Sequence, residues 1–250
     1  MSGHNLTLTT ASKATLGVRQ VSAHDQMGAP FSLDIIAQSQ KPTTGYKASI
    51  MGPTIDLDAI IGKEATLAIT QDDGKRRVYV GICSHVEQIR FDDTDEGMST
   101  YYLRLVPHLW LLSQRRGHRI YQHKNIPEII KSLFEEWKLK TKWTIDDAVY
   151  PKKEYCLQYG ETDLDFVHRL LEEAGITYHF AQDKDLLLLS DATWMAKKSL
   201  DIQYSANPNE TGGTKFATQM RISHGVRSGH FTASDFNFRR PKSLHRSSGH

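Results

Sequence analysis

Thr162-Asp163-Leu164-Asp165-Phe166-Val167-His168-Arg169-Leu170-Leu171-Glu172-Glu173-Ala174-Gly175 has the marks of a short amphipathic helix with both ends written into it. Thr162 can cap the first turn, and Asp163 and Asp165 sit near the positive end of the dipole. Leu164, Val167, Leu170, Leu171 and Ala174 recur at helical spacing and form an apolar stripe. Phe166 and Leu170 are expected to be buried against neighbouring strands. Gly175 supplies a left-handed stop. Downstream, Ile176–Phe180 and Leu186–Leu189 read as a hairpin around Gln182-Asp183-Lys184-Asp185. Upstream, a strand is expected around Tyr155-Cys156-Leu157. Earlier still, Asn125-Ile126-Pro127-Glu128 carries a cap, a first-turn proline and a capping-box acid. Ile126, Ile129, Ile130, Leu133, Phe134 and Trp137 continue that helix. Residues 110–190 therefore read as an α+β unit.

The flanks have a different rhythm. Residues 1–109 read as β. Thr66–Ile69 and Arg77–Val80 are strands around Gln71-Asp72-Asp73-Gly74-Lys75, where Asp-Gly signals a hairpin. Val86–Phe91 is a further strand, Asp92–Gly97 an acidic turn, and Tyr101–Val106 an alternating strand stopped by Pro107. Short strands with regular turns predict a small barrel or sandwich. Residues 191–250 return to β, with strands at Leu200–Tyr204, Phe216–Ile222 and Phe231–Phe238 and a loop at Asn207–Gly213. From Arg239 the chain holds Arg239, Arg240, Lys242 and Arg246 without an acid. Ser247-Ser248-Gly249-His250 reads as a loose ending, not the finish of a packed element.

The 250 residues carry 31 lysines and arginines against 29 acids, a formal charge of +2. A balance this even lacks the broad basic field of a nucleic-acid binder. No apolar run approaches the length of a membrane span. Met1-Ser2-Gly3-His4 is polar and opens no signal peptide. The two cysteines, Cys83 and Cys156, form no CxxC pair and are expected as reduced, buried core thiols of a cytosolic protein.

His168 and Glu172, at i and i+4, could place two ligands on one helix face, but HExxH is absent and no spacing fixes a third; a solvated helix face is expected. His118 and His123, with Arg115, Arg116, Arg119 and Lys124, make a patch that repels cations and suits an anion or a solvated rim. Tyr121 within it lacks the signatures of an RNA module. Glu135-Glu136 and Glu172-Glu173 diverge around their helices and do not pair over one bond. Cys156 is expected in the core, not as a nucleophile. GxSxG, Walker and GxGxxG patterns do not occur.

Three blocks carry a resemblance. Tyr102-Leu103-Arg104-Leu105-Val106-Pro107 leads through Leu109, Trp110 and Leu111 to Arg119-Ile120-Tyr121-Gln122 and Ile126-Pro127-Glu128-Ile129-Ile130. Glu154 to Phe180 is gapless. Asp235-Phe236-Asn237-Phe238-Arg239-Arg240-Pro241 matches an Asp-aromatic-x-Phe-x-x-Pro motif. Together, over about residues 25–245, they resemble the N-terminal hub of the VgrG family, the type VI secretion spike proteins related to phage baseplate hubs. Tyr121 and Ala174 depart mildly from the family pattern.

The resemblance implies an α+β, mostly β fold. A hub-type β-barrel at 1–109 is followed by an inserted α+β module at 110–190. The returning strands at 191–250 begin a second, incomplete barrel. It also implies a homotrimer that adapts a trimeric spike to a hexameric inner tube, in contact with baseplate components and with effector or adaptor proteins. It implies no catalytic, cofactor-binding or metal-binding residues, no nucleic-acid partner and no membrane insertion. Such a protein assembles in the cytoplasm and is then exported through the injection apparatus. Family members continue into further hub, an OB-like domain and a β-helical spike, so the chain is expected to be a fragment, a truncated gene product or a hub-only piece. Two alternatives stand beside this one: a hub fused in its full-length form to an effector enzyme, and a small adaptor.

Overall fold

A computed structural model describes residues 5–12, 16–39, 55–70, 74–90, 99–192, 203–206, 216–219, 221–226, 229–236 and 244–249. Strands β1 (Asn5–Thr10), β2 (Leu16–His24), β3 (Ser32–Ser39), β4 (Glu64–Thr70), β5 (Arg76–Arg90) and β6 (Thr100–Val106) close a barrel in the order β1-β2-β3-β6-β5-β4. The period of two in the sequence builds it. Leu33, Ile35 and Ala37 of β3 point inward and are wholly buried, while the residues between them are only partly so. They meet Leu67, Cys83, Leu103 and Leu105 from the other strands in one apolar core. The seam between β1 and β2 is the thinnest, with one paired position, Thr7 with Gly17. Gly81 lets β5 pass close to the end of β6: a Cβ there would lie 2.2 Å from the Val106 carbonyl oxygen.

The expected hairpin forms between β4 and β5, with Thr70 opposite Arg76 and Gly74 at φ 79°. Residues 71–73, like the Asp92–Gly97 turn, lie outside the described residues. One expectation needs correction. Val86–Phe91 is not a separate strand; as far as Arg90 it is the second half of the 15-residue β5 that begins before Val80. Register shifts at Cys83/His85 and Gln88/Arg90 let one strand bend around the barrel, and these bulges break the alternation that would have shown its continuity.

Pro107 ends β6, and a 3-10 helix (His108–Gln114) leads into the α+β part. There β7 (Arg116–Lys124), α1 (Ile126–Glu136), β8 (Thr141–Thr144), β9 (Lys153–Thr162), α2 (Asp163–Ala174), β10 (Thr177–Phe180) and β11 (Leu187–Ser190) follow. β7 pairs antiparallel with β9, while β10, β11 and β8 form a second sheet in which β8 runs parallel to β11. Both helices start and stop where the sequence says. The Asn125 side chain accepts from the Glu128 amide at 2.8 Å and Glu128 reaches back to the Asn125 amide at 2.9 Å. Thr162 caps the Asp165 amide at 3.0 Å, and Gly175 closes α2 at φ 66°. Phe166 and Leu170 are wholly buried, as expected, beside Ile129, Ile130 and Leu133 of α1.

The barrel and the α+β part touch at named points. Phe180 of β10 meets Phe31 edge-on at a centroid distance of 5.1 Å, the Gly28 amide donates to the Tyr178 carbonyl at 2.9 Å, and His108 lies 2.8 Å from Asp185.

Residues 199–250 form a compact unit of their own. Within it β12 (Gln203–Tyr204) pairs parallel with β13 (Phe216–Ala217), and β14 (Phe231–Phe236) pairs antiparallel with β15 (Leu244–Gly249). Two expectations change. The strand at Phe216–Ile222 ends at Ala217, and Ile222 is 72% exposed, so its apolar side chain marks no ladder. Of the strands expected at Leu200–Tyr204 and Phe231–Phe238, Leu200–Ile202 and Asn237–Phe238 lie outside the described residues. The ending is not loose: Ser247, Ser248 and Gly249 lie in β15, opposite Ala233, Thr232 and Phe231. An antiparallel ladder is made of backbone N–H and C=O groups, which Ser and Gly supply as well as apolar residues do.

Candidate functional site

The most concentrated polar chemistry surrounds Asp163. Its carboxylate is completely buried. It is the first residue of α2, expected near the positive end of the helix dipole, and the fold turns it inward. Three elements converge on it. Arg115, just before β7, donates through Nε at 2.7 Å, Trp137 at the end of α1 through Nε1 at 2.9 Å, and Gln158 of β9 through Nε2 at 2.8 Å. Burial pushes the Asp163 carboxyl up, but these donors outweigh it and hold its pKa below the ordinary value. Arg115 lies over the Trp137 ring at 4.6 Å and also reaches Glu136 at 2.5 Å. Arg119 grips the same Glu136 at 2.8 and 3.2 Å. The hydrogen bonds from Arg119 and Arg115 lower the Glu136 pKa to about 2. The cluster ties β7, β9, α1 and α2 together. Sequence reasoning placed Trp137 in the apolar stripe and missed its indole N–H as a donor; an aromatic with a polar tip at a helix end was the available signal.

The basic stretch is thereby divided. Arg115 and Arg119 are neutralised by acids on the inner side, while Arg116 and His118 face outward. His118 packs edge-on against Tyr159 across the strands at 4.9 Å, and His123 takes a positive φ of 55° near the end of β7. The residues do not converge on one anion-binding point.

His168 corrects another expectation. It is not on a solvated face: its Nε2 lies 2.8 Å from the buried Tyr178 hydroxyl, and burial lowers its pKa. It does share the rim of a surface cavity of about 380 Å³ with Glu172, Tyr178 and Gln26. Among the described residues, no group of three or more His, Cys, Asp or Glu side chains is placed to hold a metal ion. Glu173 pairs with Lys153 and Glu136 with the arginines, so neither glutamate pair shares a target. Cys83 and Cys156 are buried, free thiols in the barrel core and the α+β core respectively, and burial raises both pKa values. No described helix is long and apolar enough to cross a membrane. These groups join strands and helices.

A closed six-stranded barrel followed by a clamped α+β part is the architecture of a tail-hub protein, and the chain belongs to the phage tail baseplate hub (GPD) family, which matches residues 25–250. It is 31% identical over 235 residues to the type VI secretion system spike protein VgrG1b of Pseudomonas aeruginosa, covering 90% of this chain and 29% of that protein. The chain thus spans less than a third of the length of that relative. In fold it is similar to the E. coli c3393 protein, described as a component of the type VI secretion system with structural similarity to the T4 tail proteins gp27 and gp5. The TM-score is 0.66 at 23% identity, covering 80% of this chain and 52% of that one. A chain of the half-lidded Francisella PdpA-VgrG complex is similar at a TM-score of 0.51 and 10% identity, covering 84% of this chain and 35% of that one.

Proposed function

We propose that the chain is a structural hub element of a contractile injection spike that adapts a trimeric spike to a hexameric inner tube as a homotrimer. The observation that carries this is the hub-family match along residues 25–250, the stretch that includes most of the closed barrel and all of the α+β part. In this reading residues 1–109 are the first hub barrel, 110–190 an inserted module and 191–250 returning hub strands. The tube protein, baseplate components and effector or adaptor proteins are the partners; that a VgrG protein takes a further protein partner is supported by the Francisella PdpA-VgrG complex. The chain itself supplies no catalytic residue. It assembles in the cytoplasm and leaves through the apparatus.

Sedimentation and native mass spectrometry of the purified chain test the assembly. A trimer that also retains a hexameric tube protein is the expected result. A clean monomer at high concentration, with no retention of the tube protein, refutes the reading for this chain.

A further inference from the structure

The sheet formed by β7 and β9 has an inner face packed on α2 and, among the described residues up to 192, an outer face with nothing on it. The outer face is a ladder of three cross-strand pairs: His118 with Tyr159, Ile120 with Leu157, and Gln122 with Tyr155. Its apolar members are open to solvent to an unusual degree: Ile120 is 68% exposed, Tyr155 61%, Leu157 43% and Tyr159 76%. On the other face of the same strands, Cys156 and Gln158 are buried, so the exposure belongs to the face and not to a frayed element. Side chains of these sizes expose about 500 Å² together, at the upper end of the largest patch on a monomer and more than half of one side of a standard protein interface. Fold stability does not call for them, since polar residues would satisfy the same backbone ladder.

Arg116 stands at one end with His118 next to it; the three outward pairs carry no carboxylate, and the exposed Glu154 of β9 lies at the opposite end, beside Tyr155. The contrast with its neighbours is informative: Arg115 and Arg119 each hold Glu136, whereas the Arg116 guanidinium touches only the Gly160 carbonyl, at 3.2 Å, among the described residues. Four of its five N–H donors are left for a ligand. Gly160, at φ 65°, makes the bulge that brings Tyr159 level with His118 and leaves the Arg116 end open.

We propose that the outer face of the β7–β9 sheet is a docking surface for a segment of another protein that carries apolar side chains flanked by carboxylates. The apolar side chains cover Ile120, Leu157 and the two tyrosines, and a carboxylate pairs with Arg116. The inference goes beyond the hub reading and uses no feature of the trimer.

The test uses the full chain and two short fluorescein-labelled peptides. One has phenylalanine and leucine spaced by serine with aspartates at both ends; the other has asparagine in place of each aspartate. Anisotropy is expected to show the aspartate peptide binding about tenfold tighter than its counterpart, the size of one charge-assisted hydrogen bond, with the preference fading as salt rises. Arg116→Gln abolishes the preference between the peptides. Ile120→Ser with Tyr159→Ser weakens both peptides about tenfold while leaving the circular dichroism and melting curve nearly unchanged, because both side chains are largely exposed and Tyr159 gives up only its edge-on contact with His118. Equal binding of the two peptides by the wild-type chain, or no binding of either, overturns the proposal. So does oligomerisation of the chain that is lost in the Ile120→Ser, Tyr159→Ser variant, which assigns the face to a second copy. Binding of a single-stranded oligonucleotide that depends on the same two residues overturns it as well.

Discussion

Asp163→Ala removes the acceptor on which three elements converge. The carboxylate is wholly buried and takes donors from Arg115 at 2.7 Å, Gln158 at 2.8 Å and Trp137 at 2.9 Å. Its loss leaves a guanidinium, an indole N–H and an amide facing a small void. Deleting one partner of a buried charged pair costs about 3–5 kcal/mol, mostly the penalty on the group left behind. Asp163→Asn keeps the shape and one acceptor. Gln158 can then turn its amide, since its Oε1 has no partner in the native arrangement and can accept from the new NH2. The Asn variant is therefore expected to lose only about 1.5–3 kcal/mol, the value of hydrogen bonds to a charged group. Urea unfolding followed by circular dichroism measures both, because Trp137 fluorescence is itself altered by the change. The melting temperature should fall by roughly 10 °C for Ala, at about 2–4 °C per kcal/mol for a chain of this size.

The pH dependence adds an independent check on the same cluster. Asp163 and Glu136 both have pKa values lowered in the folded state, so their contributions are present above the ordinary carboxylate range and are lost as the pH falls through the folded values. For Glu136 that window runs from 4.5 down to about 2. The Ala variant should show a shallower acid slope than the wild type. An Ala variant within about 1 kcal/mol of wild type, with the slope unchanged, would show that the cluster does not hold the module together.

Three further outcomes are expected. The ion pair between His108 and Asp185 raises the His108 pKa above its ordinary 6.5, so its stabilisation is complete below that pH and disappears as pH rises through the folded value; His108→Gln should flatten this part of a pH–stability curve, and an unchanged curve contradicts the assignment. Gly81→Ala forces a Cβ to within 2.2 Å of the Val106 carbonyl oxygen, a backbone atom that cannot swing away, and should cost about 1–3 kcal/mol in thermal unfolding; a neutral result would mean that β5 and β6 separate freely at that end. Phe166→Ala should cost about 3–5 kcal/mol and Leu170→Ala about 2–5 kcal/mol, since both are wholly buried, and unaltered melting of both would place α2 the other way round.

Local signals carried the helices from residues to structure. Asn125, Glu128, Thr162 and Gly175 act within a few residues of themselves, so cap, stripe and stop were legible before any tertiary contact was known. The β4–β5 hairpin was legible for the same reason, and the family resemblance was carried by the unbroken run from Glu154 to Phe180. Strand continuity was not legible: β5 hides its unity behind two bulges that only the paired strands reveal. Nor was β15, whose ladder is made of backbone and leaves no trace in the side chains of Ser247 and Ser248. The inward turn of Asp163 and the division of Arg115, Arg116 and Arg119 between two faces depend on where β9 and α1 come to lie. The sequence determined which residues would be helix, cap and core. Only the tertiary structure decided which charges would be neutralised and which apolar side chains would be left facing water, because each of those depends on partners distant in the chain: Asp163 is 48 positions from Arg115, and the exposed β7–β9 face exists only once two separate strands are paired.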